Sequence, residues 1–110
     1  MENPPLQSEL RLHINGDGHY RLPEALTFAT TPQLYLQTGE MFDTPLPRLT
    51  FDLAGVQRVD SAGLALLLEW LREARRRSKE IRFENIPEQL AAIAKVSGLS
   101  DILTGVRSEE

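Results

Sequence analysis

The sequence predicts an α/β domain built on a mostly parallel sheet. Short strand patterns recur along the chain, amphipathic helical patterns lie between them, and 110 residues is close to the size of one average domain. The order strand, strand, helix, strand, helix, strand, helix favours parallel strands joined by helical crossovers. Right-handed crossovers place consecutive helices on the faces of the sheet. We expect about four strands and about three helices from this pattern.

The N-terminal region predicts a short tail followed by a β-hairpin. Residues 1–8 carry two prolines and no periodic pattern, which is typical of a flexible tail. Apolar and polar residues alternate over residues 10–14, as in a half-buried strand. The turn-forming sequence Asn-Gly-Asp-Gly follows at residues 15–18, and a second strand is expected within residues 19–29. These two strands are expected to pair antiparallel.

The next region predicts a helix and then a strand. Thr31 before Pro32 is a helix-start pattern, because a hydroxyl can cap a helix and the missing proline N–H costs nothing in the first turn. The helix is expected to continue to about Phe42, although Gly39 weakens it. Two prolines end it, and residues 49–53 alternate as a strand.

The strongest helical pattern covers about residues 61–78. Its buried stripe is expected to consist of four leucines at the spacing i, i+3, i+4 and i+7. These are Leu64, Leu67, Leu68 and Leu71. On the exposed side we expect two charge pairs three residues apart, Glu69 with Arg72 and Glu73 with Arg76.

The last third predicts a strand, a helix and a final apolar turn. Residues 81–83 alternate as a strand, and Pro87 opens a helix with three apolar residues on one face. Gly98 is placed to end that helix. The apolar residues within 99–103 are expected to dock on the core.

Composition and charge exclude several classes of protein. The chain has no cysteine, which removes disulfides and thiolate metal sites, and its net charge of -4 argues against nucleic-acid binding. No signal-peptide pattern is visible, and the longest apolar run, residues 64–68, is far shorter than the roughly 18 residues of a membrane span. We expect a cytoplasmic protein with one domain over residues 9–104, flanked by the 1–8 tail and a 105–110 tail.

The turn Asp60-Ser61-Ala62-Gly63 before the strongest helix is the candidate functional site. A hydrolase nucleophile elbow has glycine two residues before and two residues after the serine; Gly63 is present, but Val59 occupies the other position. The two histidines flank the predicted hairpin turn, and nothing in the sequence brings them to Ser61. No metal-ligand spacing or phosphate-binding loop is visible. We therefore predict no catalytic residue, no metal site and no cofactor.

Ser61 has two interpretations at this stage. It can be a helix N-cap, whose side-chain oxygen accepts an early N–H of the helix. It can also border a binding surface, because Leu64 at the middle of the buried face places Ala62, Leu66 and Trp70 on the far side of the helix. That apolar side is either covered by a neighbouring helix or binds another protein. We predict the second, with Leu66 and Trp70 as partner-binding residues.

The segment VDSAGLALLLEW, with the strand at 49–53 before it and IPEQLAAIAKVSGLSDIL after it, resembles the STAS domain family. This family includes anti-sigma factor antagonists such as SpoIIAA, and the resemblance is closest to its MlaB branch. It covers about residues 10–103. It implies the SpoIIAA-like fold: a mostly parallel mixed sheet of about four strands with an N-terminal hairpin, covered by about three helices.

The resemblance also implies a non-catalytic interaction protein. In antagonists of this family the partner kinase phosphorylates the Ser or Thr after the aspartate, which here is Ser61. Proteins of the MlaB branch dock on the ATPase subunit, MlaF, of an ABC transporter that moves phospholipids and acts in outer-membrane lipid asymmetry. The implied partner is an MlaF-like ATPase or, alternatively, an anti-sigma kinase, with no nucleic acid and with membrane contact only through the transporter. The implied partner-binding residues around the turn are Asp60, Ser61, Ala62 and Gly63.

Overall fold

The fold is described over residues 13–14 and 18–104 of a computed structural model. The strands in this part of the chain are β1 (His13–Ile14), β2 (His19–Arg21), β3 (Ala25–Leu26), β4 (Arg48–Asp52), β5 (Arg58–Val59) and β6 (Glu80–Glu84). The helices are α1 (Thr31–Tyr35), α2 (Thr38–Phe42), α3 (Ser61–Arg76), α4 (Glu88–Val96) and α5 (Ser100–Thr104). The chain is therefore an α/β protein, as predicted.

The strands form a main sheet and a small second one. In the main sheet the order is β1-β2-β4-β6, with β1 and β2 antiparallel and the other neighbours parallel. This arrangement confirms the hairpin and the mostly parallel sheet, although the start of the first predicted strand and most of the turn lie outside the described residues. The second sheet pairs β3 with β5 in parallel. Each of these strands has only two residues, too few to give a periodic signal in the sequence.

A row of aromatic rings lies on one face of the main sheet. Tyr20, Phe51 and Phe83 are register partners on three neighbouring strands. Their ring centroids lie 5.4 Å and 6.0 Å apart along the row. Trp70 of α3 stacks on the middle ring at 4.6 Å. All five helices contribute buried residues to the single core cluster that contains Phe51.

The opposite face of the sheet is polar, which corrects the expectation that helices lie on both faces. In strand register it carries the rows Arg48–Glu80, His19–Thr50–Arg82 and Arg21–Asp52–Glu84. Burying these charged side chains under helices without partners would cost far more than the burial of apolar surface returns. The helices therefore pack on the aromatic face.

The helix predicted over residues 32–42 is two short helices, α1 and α2, separated by Leu36 and Gln37. The hydroxyl of Thr38 donates to the carbonyl of Tyr35 at 2.6 Å, and in a continuous helix that carbonyl would accept the N–H of Gly39. The predicted cap is also shifted. Thr31 is buried as the first residue of α1, and the preceding Thr30 makes no side-chain cap bond.

The C-terminal elements follow the sequence prediction. β6 extends the predicted strand by one residue at each end, and α4 begins directly after Pro87. Leu90 and Ala94 of α4 are fully buried, and Gly98 follows the helix with a φ of 74°, a conformation that favours glycine. Leu103 of α5 docks on the core. None of the helices in the described ranges is long and apolar enough to cross a membrane.

Candidate functional site

Asp60 is the N-cap of α3. Its carboxylate Oδ1 accepts the N–H of Ala62 at 2.9 Å and the N–H of Gly63 at 3.4 Å. The other oxygen, Oδ2, accepts the N–H of Phe28 at 3.1 Å. One side chain therefore caps the helix and holds the loop after β3 against its first turn, across 32 residues of sequence.

Ser61 is the first residue of α3, and its side chain is exposed. Because Asp60 caps the helix, the N-cap interpretation of Ser61 is wrong. Among the described residues, no partner accepts from or donates to the Ser61 hydroxyl. This hydroxyl is therefore available to a molecule outside the domain, at the positive end of the helix dipole.

Gly63 has a structural role in this turn. A Cβ built on Gly63 would lie 2.4 Å from the carbonyl oxygen of Leu26 and 2.9 Å from the Leu26 Cβ. The first turn of α3 thus packs directly on β3, and only glycine permits that distance. Gly63 is itself buried and Ala62 is half-buried, so Ser61 is the exposed residue between Asp60 and Gly63.

The prediction that Leu66 and Trp70 form an outward-facing surface is wrong. Leu66 is 4% exposed and Trp70 is fully buried. The buried face of α3 consists of Gly63, Leu64, Leu66, Leu67, Trp70 and Ala74. It is rotated by roughly 80° from the predicted stripe, at the 100° per residue of an α-helix. Leu68 and Leu71 of the predicted stripe are only half-buried.

The helices α1 and α2 cover the apolar side that was expected to bind a partner. Both pack against α3, and the indole Nε1 of Trp70 donates to the Thr38 hydroxyl of α2 at 2.9 Å. The sequence could not select this face, because leucine and tryptophan together span roughly 200° of the helix, which is wider than one buried face. The small residues Gly63 and Ala74 are also buried, because they allow close packing, and a stripe predicted from large apolar residues does not include them.

Sequence reasoning missed an exposed aromatic residue next to the turn. Phe28 is 77% exposed, and its backbone N–H donates to Oδ2 of Asp60. A signal was present: apolar residues at 28, 32, 35 and 36 follow a helical spacing. The pattern of polar and apolar positions does not by itself separate these exposed residues from the core, because the buried Leu34 of the same segment is also apolar.

Other candidate chemistry lies apart from this turn. Asp52 at the end of β4 accepts from the Asn85 side-chain amide and from the N–H of Ala54, both at 2.9 Å. These bonds hold the pKa of the Asp52 carboxyl below its usual value, so it is ionised and tied to the loop after β6. No group of three or more His, Cys, Asp or Glu within the described ranges is placed to hold a metal ion.

Comparison with known sequences relates the chain to one family. The family described as "Mlab, STAS domain" matches residues 10–105. The intermembrane phospholipid transport system binding protein MlaB of Haemophilus influenzae is 41% identical over 51 residues. That alignment covers 46% of this chain and 49% of the relative, so it spans about half of that protein.

Comparison with solved structures gives the same fold. The anti-sigma factor antagonist SpoIIAA in its unphosphorylated form matches with a TM-score of 0.69 at 18% identity, over 86% of this chain and 84% of that one. The phosphorylated form of SpoIIAA, a cell fate determinant of Bacillus, matches with a TM-score of 0.65 at 18% identity, over 86% and 87% of the two chains. At this level of identity the likeness shows the architecture and no more.

Proposed function

Since this chain belongs to the STAS domain family, we propose that it is a non-catalytic interaction subunit of the MlaB type. Its partner is the ATPase subunit of a phospholipid ABC transporter, an MlaF-like protein, and it docks through the exposed start of α3. In this role it acts in the cytoplasm, and it reaches the membrane only through the transporter. The name of the Haemophilus relative supports the transport process.

The free hydroxyl of Ser61 is the observation that supports this proposal. Asp60 and Gly63 build the turn, whereas the Ser61 side chain contributes no hydrogen bond to the described part of the fold. A serine at the first position of a helix can donate to and accept from a docked protein. Such a bond is worth about 0.5–1.5 kcal/mol, so Ser61 would align the partner while burial of neighbouring apolar surface supplies most of the affinity.

Substitution of Ser61 tests the proposal. Ser61→Glu is expected to raise the Kd for the purified ATPase subunit by about tenfold or more, because docking would bury an unpaired charge beside Asp60. Ser61→Ala is expected to raise it by about two- to tenfold through loss of one hydrogen bond. Isothermal titration calorimetry measures both, with far-UV circular dichroism as the check on folding.

A matched control is available in α5. Ser100 is likewise exposed and likewise the first residue of a helix. Ser100→Glu is expected to bind the ATPase subunit with the affinity of the unmodified chain. If the unmodified chain does not bind the ATPase subunit at all, the proposed function is wrong.

A second candidate function is an anti-sigma factor antagonist switched by phosphorylation of Ser61. The exposure of Ser61 favours it, because a kinase needs access to the hydroxyl, and the fold matches SpoIIAA in both phosphorylation states. The N–H groups of Ala62 and Gly63 already bind the Asp60 carboxylate. A phosphate on Ser61 would therefore add charge next to a carboxylate, and burial of both in a complex would release the partner.

Incubation with a purified cognate anti-sigma factor kinase tests this second function. Mass spectrometry is expected to locate the phosphate on Ser61, and Ser61→Ala is expected to abolish the modification. Ser100→Ala, as the control, should be modified to the same extent as the unmodified chain. A kinase that binds the protein but leaves Ser61 unmodified would exclude this function.

A further inference from the structure

The segment between β3 and α2 presents an exposed apolar face beside the α3 turn. Helical hydrogen bonds run through it, from the N–H of Thr31 to the Thr27 carbonyl at 2.9 Å and from the N–H of Leu36 to the Pro32 carbonyl at 3.2 Å. Its buried side carries Thr31 and Leu34. Its exposed side carries the residues that we call the 28–36 face: Phe28, Pro32, Tyr35 and Leu36.

The residues of the 28–36 face are unusually exposed for large apolar side chains. Phe28 is 77% exposed, Tyr35 is 51% exposed and Leu36 is 74% exposed. At 100° per residue, positions 28, 32, 35 and 36 fall within an arc of roughly 100°, so they form one stripe. A contiguous exposed apolar stripe of this kind marks an interaction site more often than scattered apolar residues do.

The 28–36 face is continuous with the proposed partner site. Asp60 holds the N–H of Phe28 with one carboxylate oxygen and the first turn of α3 with the other. The Asp60 side chain thus fixes the backbone of Phe28 beside the first turn of α3, which begins at Ser61. A partner that reaches the Ser61 hydroxyl therefore has Phe28 within its footprint.

The charges around the face define the chemistry of the partner. Residues 25–39 contain no charged side chain, and residues 22–47 contain three acidic residues and no lysine or arginine. Those acidic residues, Glu24, Glu40 and Asp43, are all exposed. Two basic residues from outside this region contact it: Arg58 lies opposite Ala25 in strand register, and Lys79 Nζ donates to the carbonyls of Thr44 and Leu46. An apolar stripe with an acidic border complements an apolar protein surface bordered by lysine or arginine, and it repels an anionic lipid surface.

We propose that the 28–36 face is the main apolar contact for the protein partner that docks at Ser61, and that it receives an apolar segment flanked by basic residues. This inference rests on the proposed function, because it assigns a second part of the same interface. Phe28 and Leu36 supply the buried apolar area that Leu66 and Trp70, inside the core, do not. Ser61 supplies alignment at one end.

Binding of the purified ATPase subunit to single variants tests the inference. Phe28→Ser and Leu36→Ser are each expected to raise the Kd by about tenfold or more, as is typical of apolar anchors at the centre of an interface. Both side chains are exposed, so melting temperature and far-UV circular dichroism should not change. Glu40→Lys is also expected to raise the Kd. The increase should be larger at low salt than at high salt, because salt screens the interaction between exposed charges.

Val96 provides the matched control. It is 89% exposed on α4, so Val96→Ser removes an exposed apolar side chain outside the 28–36 face. Val96→Ser is expected to bind the ATPase subunit with unchanged affinity. Size-exclusion chromatography with light scattering and flotation with phosphatidylglycerol vesicles are run on the same variants.

The outcomes separate this inference from the proposed function. If Ser61→Glu weakens binding but Phe28→Ser and Leu36→Ser do not, the inference is wrong and the proposed function stands. If the unmodified chain does not bind the ATPase subunit, both are wrong. If the two variants change only self-association or only vesicle binding, the face belongs to a second copy or to a membrane, and the inference is overturned.

Discussion

Trp70→Ala is expected to lower the free energy of unfolding by about 3–5 kcal/mol, the usual cost of truncating a buried large aromatic residue. Trp70 is fully buried, and its ring stacks on Phe51 at 4.6 Å. The truncation would also remove the indole that bonds the Thr38 hydroxyl and joins α2 to α3. Since small domains are stable by only about 5–15 kcal/mol, much of the total stability would be lost. Urea denaturation followed by far-UV circular dichroism measures the effect.

Two further variants make the Trp70 prediction specific. Trp70→Phe keeps most of the ring volume but lacks the N–H, so it is expected to lose clearly less stability than Trp70→Ala. Arg72→Ala, on the exposed side of α3, removes a surface pair with Glu69 at 2.9 Å and is expected to cost less than about 1 kcal/mol. A Trp70→Ala protein that unfolds at the same urea concentration as the unmodified chain would contradict the buried position of this residue.

Gly63→Ala is expected to destabilise the domain by about 1–3 kcal/mol, the typical cost of overpacking. The new Cβ would meet the Leu26 carbonyl oxygen at 2.4 Å, so the first turn of α3 must move away from β3. That movement strains the bonds that Asp60 makes to Phe28 and Ala62. The higher helix propensity of alanine, about 1 kcal/mol, offsets only part of the cost.

Gly39→Ala is the control for Gly63→Ala. A Cβ at Gly39, in α2, meets no atom within 4 Å. The same substitution there is expected to be neutral or to stabilise by up to about 1 kcal/mol, because alanine favours the helix. Thermal unfolding of the two variants in parallel separates a steric effect from a general effect of replacing glycine. Equal melting temperatures for both variants would show that the contact with β3 is not tight.

In the turn before α3, some residues stabilise the fold and a neighbouring residue remains available to a partner. The sequence predicts Asp60, Ser61, Ala62 and Gly63 as partner-binding residues. In the structure the carboxylate of Asp60 and the missing side chain of Gly63 build the turn itself. Their substitution would weaken binding indirectly, through the fold. Ser61 is therefore the residue at which a binding measurement reports on the interface alone.

The sequence by itself determined those strands and helices that have a strong periodic pattern of apolar residues. The antiparallel hairpin, β4, β6, α3 and α4 follow from period-two or period-3.6 patterns bounded by proline and glycine. The motif at residues 60–63 also located the turn and indicated the family of the chain, because those residues are adjacent in the sequence. The small β3–β5 pair and the break between α1 and α2 gave no such signal, since each depends on contacts between a few residues.

Only the tertiary structure decided which face of α3 is buried and which residues remain for a partner. Leucine and tryptophan side chains span roughly 200° of this helix, which is wider than one buried face, so the local pattern supports more than one orientation. The choice depends on α1 and α2, which cover Trp70, and on Asp60, which ties Phe28 to the turn. Both contacts join residues 32 positions apart, and a pattern within one helix carries no information about them.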